Sequence, residues 1–225
     1  MEKPVNARSK LLLATLLVLA ACGGGAAGAG AGQSPTPAGR ALQDSTAGGT
    51  NTVPAGYGSL KQDDIAVHFD MQNLQVKAIP LDEAVIRTLS PDSYRALRGL
   101  QESRRGEIDA AARRAGAQRF NVWYVEFYGL QPEVSFSPME FVLTNNGREF
   151  RPVEVIPLTA GFGEQRLRQR ERQSALYLFD DALDVSQPLT VTVQSTPNDS
   201  WQNTLRRVER ERALIMSRAS KAPNP

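Results

Sequence analysis

Apolar and polar residues alternate along much of the chain between residues 64 and 194, which is the period-two pattern of half-buried β-strands. Segment 120–128 carries apolar or aromatic residues on both faces, so we expect a central strand covered on both sides. Asn146-Gly147 separates two β-rich runs and predicts a hairpin, because both central positions of its tight turn need positive φ. The predicted strands are 64–70, 74–78, 120–128, 134–136, 139–143, 148–155, 174–179 and 189–194.

A helical insertion interrupts these strands at about residues 81–116. Ser90-Pro91 has the pattern of an N-cap followed by proline at the first helical position, and apolar residues recur at helical spacing after it. A shorter helix is expected at 81–89, and Gly116 is placed to act as a C-cap. One apolar stripe at about 199–218 predicts a C-terminal helix that packs its tryptophan on the strands.

Several short strands separated by turn signals indicate an antiparallel β-sandwich. We therefore predict a mainly β fold with a helical insertion and a C-terminal helix, in a single domain that spans residues 59–225. A domain of about 165 residues is large enough to have its own hydrophobic core.

The segments between residues 120 and 194 also resemble a known group of proteins. The order MEFVL (139–143), GREFRP (147–152), LYLF (176–179) and LTVTV (189–193) is similar to the second half of the immunoglobulin-like sandwich domains of many uncharacterised bacterial lipoproteins. The resemblance implies an immunoglobulin-like sandwich. It implies no activity and no functional residue.

The first 21 residues have the three parts of an export signal. Basic residues precede an apolar run at 11–19, and small residues lead up to Cys22. This run is too short to span a bilayer, which takes about 20 residues. The segment Leu19-Ala20-Ala21-Cys22 resembles the lipobox of bacterial lipoproteins, which implies cleavage before Cys22 and lipidation of that residue. The alternative is an ordinary secretory signal with a cysteine near its cleavage site.

The residues after the signal predict where the protein is held. Gly23 follows Cys22. In enterobacterial lipoproteins, which this segment resembles, an aspartate there typically causes retention in the inner membrane, so for a host with two membranes we expect the outer membrane of the cell envelope. Residues 22–58 are rich in glycine and poor in large apolar side chains, which predicts a lipidated, disordered tether. Its root-mean-square reach would be roughly 30 to 36 Å.

Composition limits the chemistry of the predicted domain. Cys22 is the only cysteine, so its acylation would leave no thiol for a disulfide, a zinc site or a nucleophile. Residues 1–21 hold three of the 26 basic and one of the 24 acidic side chains, so the processed chain would be neutral, and we expect no nucleic-acid partner. His68, the only histidine, falls on the polar face of a strand and is expected to be exposed. No nucleophile-elbow motif is present, and we expect neither enzymatic activity nor a cofactor.

Each of two polar clusters can be interpreted as structural or as functional. Asp180, Asp181 and Asp184 have a spacing that suits calcium, but an aspartate-rich turn, in which each side chain bonds its own backbone, is the favoured interpretation. The second cluster is the arginine-rich segment 166–172. If this segment is extended, its arginines share one face and could bind anions. The favoured interpretation is an edge strand whose charges prevent aggregation. These arginines are Arg166, Arg168, Arg170 and Arg172.

The sequence thus predicts a non-enzymatic lipoprotein that serves as an interaction or envelope-structural module. Its expected partners are the membrane, through lipidated Cys22, and an envelope protein or anionic envelope component. The alternative is an extracytoplasmic hydrolase or carbohydrate-acting enzyme with an unidentified carboxylate pair. Two carboxylates within about 10 Å of each other at the floor of a cleft would favour that alternative.

Overall fold

The computed structural model of the protein describes residues 52–221, of which about 33% are in strands and 35% in helices. The strands are β1 (Val67–Asp70), β2 (Leu74–Pro80), β3 (Phe120–Gly129), β4 (Val134–Ser135), β5 (Phe141–Asn145), β6 (Arg148–Phe150), β7 (Glu154–Pro157), β8 (Arg166–Leu167), β9 (Arg172–Asp180), β10 (Leu189–Val193) and β11 (Thr196–Asn198). The helices are α1 (Glu83–Ile86), α2 (Pro91–Ser103), α3 (Arg105–Ala115) and α4 (Trp201–Lys221). The predicted signal 1–21, Cys22 and the predicted tether up to residue 51 lie outside the described residues.

Two antiparallel sheets form the core. The five-stranded sheet has the order β1-β2-β3-β9-β7 and the four-stranded sheet the order β11-β10-β5-β6, while β4 and β8 form a separate pair. Phe141 of the smaller sheet packs against Tyr177 and Trp123 of the larger one, with ring centroids 5.1 and 6.4 Å apart. These contacts join the inner faces of the sheets, and the predicted antiparallel sandwich is confirmed.

Most predicted strands are confirmed, with several differences. The strand predicted at 64–70 begins at Val67, the one predicted at 139–143 begins at Phe141, and β8 and β11 were not predicted. Segment 148–155 is not one strand: β6 pairs with β5 in the smaller sheet, and β7 pairs with β9 in the larger one. Pro152 lies between them, and because proline has no N–H to give to a ladder, the chain leaves one sheet there and enters the other. Segment 134–136 contributes only the two residues of β4. The predicted hairpin is confirmed, since Asn146 and Gly147 have φ angles of 51° and 75°.

The helical insertion is confirmed as three helices. The predicted helix 81–89 shortens to α1, whose N-cap Asp82 accepts a hydrogen bond from the Ala84 N–H at 2.8 Å. Residue Arg104, with φ −109° and ψ 8°, separates α2 from α3. Gly116 ends α3 in the left-handed conformation at φ 66°, as predicted for the C-cap.

The N-terminal boundary of the folded part lies before the predicted start at Ser59. Val53 is buried. Gly58 lies so close to α1's C-terminal end that an added Cβ would be 2.2 Å from the Thr88 carbonyl oxygen, so no larger residue fits without movement of the backbone. The last residues that were assigned to the tether are therefore part of the packed structure.

Helix α4 holds this N-terminal segment in place. Trp201 packs on Trp123 of β3, with ring centroids 5.8 Å apart, which confirms the prediction that the C-terminal helix packs its tryptophan on the strands. Further along α4, the buried Glu211 accepts hydrogen bonds from the Ser59 N–H (2.9 Å), the Ser59 hydroxyl (2.8 Å) and Arg218 (2.6 Å). Arg218 also donates to the Tyr57 carbonyl oxygen at 2.7 Å. We call Glu211, Arg218 and Ser59 the α4 clasp.

Stability should depend on the charge of Glu211. Burial raises the pKa of Glu211, but the hydrogen bonds from Arg218 and Ser59 outweigh it, so the pKa lies below its usual value of 4.5. Because the folded-state pKa is the lower one, the carboxylate contributes its full stability above about pH 4.5 and loses it as the pH falls through the folded-state value. We expect Glu211→Gln to lower the free energy of unfolding at pH 7 by about 1–3 kcal/mol.

Urea unfolding monitored by tryptophan fluorescence at pH 7 and pH 3 measures this effect, which should be smaller at pH 3. The control is Glu107→Gln on α3, whose carboxylate is 51% exposed and pairs with the partly exposed Arg104. Its loss should cost less than about 1 kcal/mol. Equal destabilisation by the two substitutions would contradict the role of the α4 clasp.

Candidate functional site

The outer face of the five-stranded sheet, turned away from the sandwich core, is only partly covered. Helices α2 and α3 lie on it: Arg114 of α3 forms an ion pair with Glu154 of β7, and Leu97 of α2 lines one cavity with Tyr124 of β3. Beyond the helices, the side chains of β3 on this face are only half-buried. The sequence predicted a β3 covered on both faces, and this is wrong for its C-terminal half.

A groove of about 510 Å³ follows the edge of α2 across the uncovered part of the sheet. Its lining residues are Gln62, Lys77, Ala96, Leu97, Leu100, Tyr124, Glu126, Leu158, Arg172 and Ser174. A smaller cavity of about 150 Å³ adjoins it and shares Lys77, Glu126 and Arg172. The groove therefore has an aliphatic wall on α2 and a polar, charged floor on the sheet.

Strand register brings the floor residues together. Glu126 of β3 lies opposite Lys77 of β2 and Ser174 of β9, and in the next row of this face Tyr128 lies opposite Arg172. Directly opposed residues have their Cβ atoms about 4.5–5.5 Å apart, so these side chains are neighbours although they are far apart in sequence.

Hydrogen bonds and ion pairs connect most of the floor. The Tyr124 hydroxyl donates to Glu126 Oε2 at 2.9 Å, and Arg172 Nη1 lies 3.5 Å from Glu126 Oε1. The Arg172 guanidinium also lies over the Tyr128 ring, 5.2 Å from its centroid. On the other side of β3, Lys77 Nζ contacts Asp63 Oδ1 at 2.5 Å. Both carboxylate oxygens of Glu126 are thus engaged.

The phenol of Tyr124 is held in its neutral form. Burial raises the pKa of Tyr124, and the negative charge and hydrogen bond of Glu126 raise it further, to about 12. At neutral pH this group is a hydrogen-bond donor and not a phenolate base.

The four arginines singled out in the sequence do not form one extended face. Arg166 belongs to β8 and Arg172 begins β9, and between them the Glu171 N–H donates to the Arg168 carbonyl oxygen at 3.1 Å, which closes a turn. Arg170 in this turn has a φ of 63°. The backbone of Gly129 at the end of β3 packs against the turn, where an added Cβ would be 2.6 Å from the Arg168 carbonyl oxygen. We call residues 166–171 the arginine turn.

Arg172 is the only one of the four that lines the groove or its adjoining cavity. The side chains of Arg166, Arg168 and Arg170 are exposed and form no salt bridge within residues 52–221. The prediction that these arginines share one face of an extended strand is therefore wrong, because one tight turn removes the period-two spacing on which it depended.

The sequence also singled out His68 and three aspartates near residue 180. His68 is exposed on β1, as predicted, and borders the smaller cavity. Asp180 Oδ1 accepts from the Ala182 N–H and Asp184 Oδ1 from the Ser186 N–H, both at 2.9 Å, which confirms the aspartate-rich turn. Across the described range 52–221, no group of three or more acidic, histidine or cysteine residues is placed to hold a metal ion.

Two carboxylates line the smaller cavity, Asp70 on β1 and Glu126 on β3. Strand β2 lies between them, so their backbones are separated by two strand spacings, roughly 10 Å, and by a stagger of two residues. Asp70 Oδ1 accepts a hydrogen bond from Gln75 at 2.9 Å. Each carboxylate thus has its own partner.

Comparison with protein families, curated proteins and solved structures finds no match to this chain. In the part that the structure describes, no helix is long and apolar enough to cross a membrane. The groove is therefore the feature of the molecule from which a function is inferred. Sequence reasoning missed its residues Lys77, Tyr124 and Glu126, although a glutamate on the face of a predicted central strand was a signal that this face is partly open.

Titration of Tyr124 tests the geometry of the floor. With tyrosines labelled at Cζ, nuclear magnetic resonance should show Tyr124 still protonated at pH 11, and Glu126→Gln should shift its pKa downward, towards the usual value of 10, because the negative neighbour is removed. The matched control Glu140→Gln neutralises an exposed glutamate outside the groove and should leave the titration unchanged. An unchanged pKa of Tyr124 in Glu126→Gln would contradict the hydrogen bond between the two side chains.

Proposed function

We propose that this chain is a lipid-anchored, extracytoplasmic protein of the bacterial cell envelope that acts as a non-enzymatic binding module. The groove is its binding surface. The observation that carries the proposal is the uncovered sheet face beside α2, where a cavity of about 510 Å³ combines an aliphatic wall with convergent polar groups. Ligand sites of roughly 300–1,000 Å³ commonly have this composition.

The anchor in this proposal is Cys22. It is supported by the likeness of Leu19–Cys22 to a lipobox, and Gly23 favours the outer membrane. The glycine-rich segment from Cys22 to the buried Val53 has a reach of roughly 30 Å if it behaves as a flexible linker. The folded part would then remain close to the membrane surface while its groove stays accessible.

Binding is favoured over catalysis by the state of the groups in the groove. Glu126 accepts from Tyr124 and pairs with Arg172, and Tyr124 keeps its proton at neutral pH. A hydrolase of the alternative type needs two carboxyl groups about 5–10 Å apart. The backbones of Asp70 and Glu126 are separated by two strand spacings and a stagger of two residues, roughly 12 Å, and their short side chains leave each carboxylate with its own partners. These features support a role in holding a partner.

We also infer that the sandwich is of the immunoglobulin-like type seen in bacterial lipoproteins. The inference is supported by the chain path, which passes from β6 to β7 and from β9 to β10 between the two sheets, as Greek-key connections do. The N-terminal hairpin of β1 and β2 and the three-helix insertion would be additions to that framework.

The anchor is tested by Cys22→Ala in the native host. We expect the variant to leave the membrane fraction or to accumulate as an uncleaved precursor, because the acyl chains and the processing site are lost. Fractionation and intact mass measure both outcomes, and Ser34→Ala in the same segment is the control that should change neither. Unchanged fractionation and mass in Cys22→Ala would overturn the lipoprotein proposal, and a soluble, processed wild-type protein would favour the ordinary secretory signal.

The binding surface is tested by site-specific cross-linking in the same cells. A photo-cross-linking residue at Ala96, which is exposed on α2 and lines the groove, should form a discrete adduct. The matched control is the same residue at Ala213, which is exposed on α4 and outside the groove. Absence of an adduct at position 96, or equal adducts at both positions, would contradict a role for the groove.

A further inference from the structure

The unused hydrogen-bonding capacity of the groove lies on its cations. A guanidinium has five N–H donors. Arg172, whose side chain is 67% exposed, makes one ion-pair contact, with Glu126 at 3.5 Å. The ammonium of Lys77 has three donors, and its carboxylate partner Asp63 is itself 71% exposed. The acceptor on the floor, Glu126, already has both oxygens engaged. Among the charged groups of the groove, the spare hydrogen-bonding capacity therefore lies on donors rather than on acceptors.

The two cations are positioned to act on one ligand. Lys77 on β2 and Arg172 on β9 flank β3, and both line the groove and the adjoining cavity. Two strand spacings and a stagger of two residues separate their backbones, roughly 12 Å, which the long side chains of lysine and arginine can bridge around one anionic group. Arg172 is held over the Tyr128 ring, so less conformational freedom is lost when it binds.

The wall beside these cations is uncharged. Ala96, Leu97 and Leu100 of α2 line the groove opposite the charged floor. A ligand that fits both surfaces has an oxyanion next to an apolar or neutral part.

We infer that the groove binds a ligand through an oxyanion, a phosphate or carboxylate group, held by Arg172 and Lys77, with the ligand's uncharged part against α2. The inference rests on the proposed binding function and names its ligand chemistry. A lipid headgroup and a soluble phosphate or carboxylate share this chemistry. Arginine suits it because its planar fork matches the geometry of both groups.

The arginine turn is a different kind of feature. Arg166, Arg168 and Arg170 are exposed and form no salt bridge within residues 52–221, and none of them lines either cavity. Exposed charges of this kind attract any anionic surface weakly and are screened by salt. This contrast provides a charge-matched control.

The experiment uses the mature chain, residues 22–225, produced without acyl groups, and two probes. Hexyl phosphate, titrated by nuclear magnetic resonance, represents a soluble ligand with an apolar part, and vesicles of phosphatidylglycerol and phosphatidylcholine, measured by co-sedimentation, represent a lipid surface. Arg172→Gln and Lys77→Gln should each weaken binding about tenfold, as the loss of a hydrogen bond to a charged group commonly does. Arg168→Gln, which removes the same charge from the arginine turn, should change it less than about twofold.

The two probes identify the source of the oxyanion. Binding of vesicles that hexyl phosphate displaces supports a lipid headgroup, and binding of hexyl phosphate alone supports a soluble ligand. Equal weakening by Arg168→Gln and Arg172→Gln would overturn the inference in favour of general surface charge, as would no binding of either probe.

Cross-linking at Ala96 separates this inference from the proposed function. Arg172→Gln should markedly lower the yield of the adduct at position 96, because binding through the oxyanion is about tenfold weaker. An adduct of unchanged yield in Arg172→Gln would overturn the oxyanion while leaving the groove as the binding surface. Failure of the adduct in the otherwise unchanged protein would overturn the proposed function itself. Thermal melting of each variant excludes loss of folding as the cause.

Discussion

The antiparallel register of β3 with β2 and β9 is the constraint on which the rest of the structure depends. Its inner face places Trp123 opposite Tyr177, where both meet Phe141 of the smaller sheet and form the centre of the core. Its outer face places Glu126 between Lys77 and Ser174. Because side chains alternate along a strand, a shift of one residue would exchange these faces and bury the charges in the core. Core and groove are therefore specified together.

A second set of contacts determines where the outer face stays open. The α4 clasp holds Ser59, and Arg212 of α4 donates to the Ala84 carbonyl oxygen of α1 at 2.7 Å, so α4 fixes both the N-terminal segment and the start of the helical insertion. A network of Arg98, Tyr94 and Glu83 then ties α2 to α1. With its first helix fixed in this way, the insertion covers one end of the sheet and leaves the other uncovered.

Sequence pattern was sufficient for features that depend on local chemistry. The Asn146-Gly147 hairpin, the Gly116 C-cap and the aspartate-rich turn after β9 all follow from residues that are adjacent in the chain. It was insufficient where a distant contact decides. The arginine turn forms against Gly129, 37 residues before Arg166, and the groove requires residues from three strands and a helix. Alternation alone cannot distinguish a continuous strand from two strands joined by a tight turn.

The shape of the groove agrees with the proposed anchoring. An open cavity whose arginine is 67% exposed offers few contacts that exclude water, so affinity for a small ligand should be modest. If the chain is anchored as we propose, the requirement changes: a flexible linker of about 30 residues would give effective concentrations of about the millimolar range for any partner at the same membrane. Weak and reversible contacts are then sufficient for occupancy, and a deep, enclosed pocket is not needed. A partner fixed in the envelope gains this advantage, whereas a freely diffusing one does not.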